Sequence, residues 1–447
     1  MTVMTLLKYL IGNRQAILDI AGSRQSLWIG LLFVLSAGLA REYDGADLWH
    51  EPWHLVLPLG ASLLTSFLLF CLVYAIGCRR GCPGGRFWKL YCSFLSLYWM
   101  TAPLAWLYAI PVERFLSTAD ATTANLWLLA LVALWRVSLM TRVIAVLFQA
   151  GAWASFFVVM FFADTVALVL LYLTPLPVFN VMGGIRLSPS ERIIQGTAIL
   201  VGLAGVTSWP IWLIGMSIVG FPRRSDWTPA VEGPSAGKIG PSLWGLACLS
   251  LAVWIIVLPR TQSEQQLKWL VERDLRAGRL ERAVRLLSAH ERADFPPHWD
   301  PPPQLGYGEE SPSIVDIMEM VVAADARPWI REIFAAKYLN HLRGTTFSYH
   351  GPARLGELTD DELDRVLTAL ENLPGVPAFV VEERDTFEML QRQNHRKDLR
   401  DRIRVLFAQV GLEPPKDIEY TRPLDGAAPG SKDPAAEEES DPNADSQ

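Results

Sequence analysis

A series of long apolar runs, confined to the first 258 residues, constrains this chain more than any other feature. A bilayer core of ~30 Å demands about 20 apolar residues in helical form, because hydrocarbon offers backbone N–H and C=O groups no other partner. Six segments approach or meet that length: His54 to Gly77, Ser93 to Pro111, Leu126 to Phe148, Ala152 to Pro175, Thr197 to Gly220 and Ser242 to Leu258. From Pro259 onward charges arrive every few residues. The expected fold is all-α: a polytopic helical transmembrane bundle over 1-258, a mainly helical polar domain over 259-421, and a disordered acidic tail over 422-447.

Composition agrees, since 51% hydrophobic residues against 19% charged is richer in apolar residues than a soluble globular chain. The net charge of -6 comes largely from the tail, and no basic, aromatic-interleaved groove is visible. Nucleic acid is therefore not an expected partner, whereas the lipid bilayer is.

A seventh segment, Ser26 to Ala40, is shorter and ends in Gly38-Leu39-Ala40 before Arg41. It reads either as a retained span or as a signal core with a small-residue cleavage site. The retained span is favoured, because the long preceding stretch with Asp19 is unlike a short basic leader. Orientation follows from the loop Cys78 to Lys89, which holds Arg79, Arg80, Arg86 and Lys89 and no acid, and is expected inside. Five further spans place Arg223, Arg224 and Lys238 inside again and the polar domain outside. The expected setting is a cell membrane, with a bacterial inner membrane in view.

Cysteines Cys71, Cys78, Cys82, Cys92 and Cys248 all lie in or near the bundle. The grouping of Cys78, Cys82 and Cys92 lacks paired zinc spacing and reads as structural. Tryptophans such as Trp28, Trp53, Trp153 and Trp227 mark span ends, where their rings favour the headgroup level. Pro58, Pro103 and Pro210 interrupt apolar runs, which occurs in transporters and equally in bundles without transport.

Charges inside the runs carry the most information, because each needs a partner in hydrocarbon. Arg136 and Arg142 fall in the Leu126 to Phe148 span and Asp164 in the next, with the turn near Gly151. At 1.5 Å rise per residue, Arg136 is within ~3 Å of the depth of Asp164 and Arg142 within ~6 Å. An intramembrane ion pair between Arg136 and Asp164 is expected, with Arg142 secondary.

His50-Glu51-Pro52-Trp53-His54 satisfies HExxH, in which a helix presents two histidines to zinc and the glutamate activates water. Pro52 argues against that use, since it belongs in the first turn of a helix and not between two ligands in its interior. His50 and His54 therefore stand as weak metal candidates beside Glu42, Asp44 and Asp47, and a solvated acidic loop is favoured.

In the polar domain, Leu267, Leu270, Val271 and Leu275, then Leu280, Ala283, Val284 and Leu287, recur at helical spacing around Gly278. This αα-hairpin resembles a single tetratricopeptide-type unit, without a second copy at the expected period. A Pro-rich strap over 295-312 follows, in which Trp299 and Tyr307 favour docking. Helices are expected at Ser313 to Leu342, divided by Pro328, at Thr359 to Leu373 with a Thr359/Glu362 capping box, and at Glu382 to Val410. Val376 to Val381 reads as a short strand or buried chain. His290, His298, His341, His350 and His395 lack ligand spacing.

No glycine-rich phosphate loop and no nucleophile, base and oxyanion set is found, so neither an enzyme nor a cofactor is expected. The leading expectation is a non-enzymatic binding or scaffold protein whose C-terminal domain contacts another protein. A small-solute transporter or channel is the alternative, and an intramembrane metalloprotease the remote one.

Overall fold

The computed structural model of the chain describes residues 1–77, 87–173, 189–220, 227–234, 239–303, 313–342, 355, 358–371 and 373–413. Among the described residues the protein is all-α, without strands. Two short helices, α1 (Val3–Leu10) and α2 (Arg14–Ala21), precede α3 (Gln25–Glu42), α4 (Trp53–Gly77) and α5 (Phe87–Trp99). Then come α6 (Thr118–Leu147), α7 (Ala152–Leu173), α8 (Pro189–Gly220) and α9 (Pro241–Arg276). Six stretches are long and apolar enough to cross a bilayer: α4, Phe87–Arg114, α6, α7, α8 and α9. The chain is a multi-pass membrane protein. Within Phe87–Arg114, α5 gives way to 3-10 turns at Ala102–Ala109 and Val112–Arg114, with Pro103 in the first turn of the former, where a missing N–H is tolerated.

The short segment expected at Ser26 to Ala40 is the centre of the bundle. It forms most of α3, which packs on α4, α5 and α9 and buries Ile29, Phe33 and Ala40 completely. α3 lies parallel to α9 and in register with it. Gln25 Oε1 accepts from Ile239 N at 3.0 Å, and Ser36 Oγ donates to the Ser250 carbonyl at 2.9 Å, both across 214 residues of sequence. At the far end Gln262 Nε2 donates to the Tyr43 carbonyl at 3.2 Å. A leader cleaved after Ala40 would take this centre with it.

Contacts mark the two ends of the bundle. At one end Gly240 N donates to the Met1 carbonyl at 2.7 Å, and Ala230 N to the Leu147 carbonyl at 2.8 Å. At the other, Arg114 pairs with Glu264 at 2.8 Å, and His298 Nε2 lies 3.1 Å from the Leu116 carbonyl. Met1 lies beside the start of α9 and the polar domain follows its end, so the N-terminus and that domain sit at opposite ends of this helix.

The expected boundary at 258/259 falls inside a helix. α9 runs 36 residues, about 54 Å, through Pro259, whose missing N–H leaves only the Ile255 carbonyl without its helical donor. Val271 and Leu275 on its last turns are fully buried in the core of the polar domain. Gly278, at φ +69°, makes the turn into α10 (Leu280–Ala289), as the spacing predicts. The strap docks there: Phe295 and Trp299 stack at 4.7 Å, and Trp299 Nε1 donates to Glu272 Oε1 at 2.9 Å.

α11 (Ile314–Ala323) and α12 (Pro328–Leu342) part at Pro328. From α12 the buried Lys337 reaches the strap, donating to the Pro301 carbonyl and, at 3.0 Å, to that of Pro303, and pairing with Asp300 at 2.8 Å. Burial pushes its ammonium below the usual lysine range, and the charge of Asp300 opposes that shift. α13 (Asp360–Leu370) opens on the Thr359/Glu362 capping box. Val376 to Val381, expected as a short strand or buried chain, is the partly buried helix α14 (Val376–Glu382): Gly375 at φ +83° turns the chain, and Pro377 in the first turn has a helix-compatible φ. α15 (Arg384–Gln393) and α16 (Lys397–Gln409) complete the domain. Cys78, Cys82, the basic loop from Arg79 to Arg86, Arg223, Arg224, Lys238, Tyr307, His350 and the acidic tail lie outside the described residues.

Close packing of α3 gives a sign test. A Cβ on Gly30 would lie 2.8 Å from Trp99 Cβ, whereas one on Gly196 in α8 meets nothing within 4 Å. Gly30→Ala should lower stability by about 1–3 kcal/mol through overpacking. Gly196→Ala should raise it by up to about 1 kcal/mol through helix propensity. Thermal unfolding in detergent reads both.

Candidate functional site

Helix faces decide where the intramembrane charges go. On α6, Arg136 shares a stripe with the buried Val132, Leu139, Met140 and Val143, at spacings of three, four and seven, and so faces the bundle. Its guanidinium lies over the Tyr98 ring, 5.1 Å from the centroid. The Tyr98 hydroxyl is held 3.0 Å from Thr65 Oγ1. On α7 the buried face carries Ser155, Val158 and Val159. Asp164 lies nine residues beyond Ser155, a rotation of about 180° at 100° per residue, and turns to α8 instead. Ser208 Oγ donates to Asp164 Oδ2 at 2.7 Å. Gly205 lets the carboxylate approach, since a Cβ there would sit 2.9 Å from Asp164 Oδ1.

The expected pair between Arg136 and Asp164 is thus not formed. The two charges share a depth and face different neighbours. Arg142 has a third role: its Nε donates to the Gly12 carbonyl at 3.2 Å, beside the Trp135 Nε1 bond to the Leu10 carbonyl at 2.9 Å. Both satisfy carbonyls at the C-terminal end of α1, where a cation is also favoured by the helix dipole.

The HExxH histidines are likewise separated. α4 begins at Trp53, so His50 precedes the helix and His54 lies in its first turn. His50 Nδ1 is 2.6 Å from Asp47 Oδ2, and His54 Nε2 is 3.0 Å from Glu51 Oε2. Among the described residues no group of three or more His, Cys, Asp or Glu side chains is placed to hold a metal.

The loop that carries His50 is instead laid along α9. Leu48 N donates to Gln262 Oε1 at 2.7 Å, Gln262 Nε2 to the Ala46 carbonyl at 3.0 Å, and Gln265 Nε2 to the Asp44 carbonyl at 2.5 Å. The His50 ring stacks on Trp269 at 4.9 Å and 11°. Arg273, one helical turn on, places its guanidinium 4.7 Å from the Trp269 ring centroid. Trp269, Glu272, Arg273, Arg276 and Ala277 line a groove of about 370 Å³ there. The sequence reading used this stretch only for the hairpin and missed the groove; the i, i+4 placing of Trp269 and Arg273 was the available signal. Beneath the loop, burial first and then the charge of Glu113 push the Asp44 carboxyl up to about 6.

Comparison with family models, with curated proteins and with solved structures finds no match for this chain.

Two outcomes follow from these contacts. In a double-mutant cycle read by thermal unfolding, Asp164→Ala and Arg136→Gln should add to within about 0.5 kcal/mol, whereas Asp164→Ala with Ser208→Ala should couple by more than that. The second outcome concerns pH. The folded-state value of Asp44 lies above its ordinary 3.8, so the folded protein holds the proton more tightly. The resulting stability is present below about 4 and is lost as pH rises through about 6. Asp44→Asn should flatten the pH dependence of the melting temperature over that window and raise stability at pH 7.5.

Proposed function

We propose that the protein is a membrane-embedded scaffold that presents a helical domain at the outer face of a cell membrane, with the groove beside Trp269 taking a protein partner. The observation that carries this reading is the joint between bundle and domain. An unbroken α9, with the 43–50 loop bonded along its flank, holds the domain at a fixed angle to the bilayer. A fixed domain suits contact with a partner, because less freedom is lost on binding. Trp and Arg, the residues that line the groove, are also those that most often dominate protein interfaces. The outer location follows if the basic loop with Arg79, Arg80, Arg86 and Lys89 is inside and five spans come after it. The second reading, a small-solute transporter or channel, is favoured by Arg136 inside the bundle.

The test uses the full chain. Ala277→Cys is labelled in intact spheroplasts with a membrane-impermeant, thiol-reactive photocrosslinker and then irradiated. A discrete protein adduct that is lost in Arg273→Glu supports the reading. Labelling only after lysis overturns the orientation. Labelling without a discrete adduct, beside solute uptake in liposomes, transfers support to the transporter.

A further inference from the structure

Arginines crowd the turn between α9 and α10, where the groove beside Trp269 opens. The fully buried Asp274 is shared by three of them: Arg279 Nη2 donates to Oδ1 at 2.7 Å, Arg282 Nε lies 3.0 Å from Oδ2, and Arg273 Nη2 is left 3.5 Å from Oδ1. The Arg273 Nε is buried without an acceptor. Arg276 lies 3.6 Å from Glu272, whose other oxygen accepts from Trp299. Arg285 and Glu281 on α10 pair with each other. Glu272 and Asp274 thus face the guanidiniums of Arg273, Arg276, Arg279 and Arg282, a surplus of positive charge. Arg273 and Arg276 line one groove of about 370 Å³. Contact with the Trp269 ring, 4.7 Å from the centroid, restrains the Arg273 guanidinium before any ligand arrives.

Planar guanidinium forks match carboxylates and phosphates. Lipid phosphate is disfavoured, because Trp269 lies about 16 Å along α9 from Leu258, the last residue of the apolar run, and the headgroup layer is only ~5–8 Å deep. The chain itself supplies the complement. Its stretch 433–447 carries Glu437, Glu438, Glu439 and Asp441 and contains no Lys or Arg. At ~3.3 Å per residue, the chain from Glu413 to Glu437 can span up to about 80 Å, several times the ~15 Å radius of gyration of a domain of this size. No apolar run separates the stretch from the polar domain, so both share a compartment whichever way the chain is inserted. Tethering raises its effective concentration to the millimolar range, which offsets the weakness of exposed ion pairs. We propose that the acidic stretch 433–447 docks in the groove and sets carboxylates of its Glu437 to Asp441 run on the Arg273 and Arg276 guanidiniums. The docked stretch covers the surface assigned above to a partner and so competes with it; that regulation rests on the scaffold reading, whereas the docking does not.

Photocrosslinking of the full-length protein, purified in maltoside micelles with no partner present, tests the docking. p-Benzoylphenylalanine replaces Ala277 on the groove wall, and after irradiation the adduct is searched for the chymotryptic fragment that follows Tyr420. An adduct within one chain is expected, with a yield that falls severalfold at high salt. Glu437→Lys combined with Glu438→Lys and Glu439→Lys, all outside the described fold, should lower the yield about fivefold or more, the worth of two exposed ion pairs. Adding Arg273→Glu and Arg276→Glu to that variant should restore the yield; if the arginine variants do not accumulate, the lysine variant decides. No adduct with that fragment, an adduct only between chains, an undiminished yield in the lysine variant, or no recovery in a combined variant that accumulates overturns the proposal. Any of these leaves the partner reading standing, because that reading depends on an adduct with a different protein in spheroplasts.

Discussion

The parallel, in-register pairing of α3 with α9 is the constraint on which the rest of the molecule depends. Inside a bilayer two apolar helices gain nothing from leaving lipid for each other, so association rests on close packing and interhelical hydrogen bonds. This pair has both. Trp254 Nε1 donates to Ser36 Oγ at 3.1 Å while Ser36 itself donates to the Ser250 carbonyl, a relay at the middle of the pair. Gly30 admits Trp99 of α5 to the opposite flank of α3. Because the register is the same at Gln25 and at Ser36, fixing one end of α3 fixes the other. The 43–50 loop therefore arrives beside Gln262 and not a turn above or below it.

The two charged helices illustrate how depth and face separate. Depth follows from counting residues to the turn at Gly151, and it puts Arg136 and Asp164 level. Face follows from which stripe a helix buries, and that depends on neighbours far away in sequence. α6 turns Arg136 toward α5, whereas α7 gives its Phe157, Phe161, Asp164 and Leu168 side to α8. Gly205 and Gly215 on α8 explain the choice, since each removes the Cβ that would collide with that side. The bundle therefore keeps the two charges apart, Arg136 over the Tyr98 ring and Asp164 on the Ser208 hydroxyl.

The membrane bundle was legible in the sequence because length and apolarity are local properties: all six long runs appear as helices, as do the hairpin at Gly278, the break at Pro328 and the cap at Thr359. The position of α3 was not legible. A central helix touched by others on most sides needs less apolar surface than a lipid-facing one, so its run is shorter and carries Ser26, Ser36 and two glycines. The continuity of α9 was hidden by Pro259, which ends a hydropathy run without ending a helix. The intramembrane partners were hidden because Tyr98 and Ser208 carry no charge, and only the fold assigns them to Arg136 and Asp164.

Glutamine at the joint answers a problem specific to the membrane edge. Leu48 presents a backbone donor, and Tyr43 and Ala46 present backbone acceptors, all within reach of one buried side chain. A carboxylate could serve only the donor, and an ammonium only the acceptors. Either would also bury a net charge beside the bilayer. The Gln262 amide accepts at Oε1 and donates twice at Nε2, so it satisfies three backbone groups while remaining neutral, with only 2% of its surface exposed. Gln265 repeats the donating half of the device one turn later, on the Asp44 carbonyl. The loop is thus held to α9 by amides whose bonds are insensitive to pH, and the Asp44 carboxyl, pushed up to about 6, lies beside them.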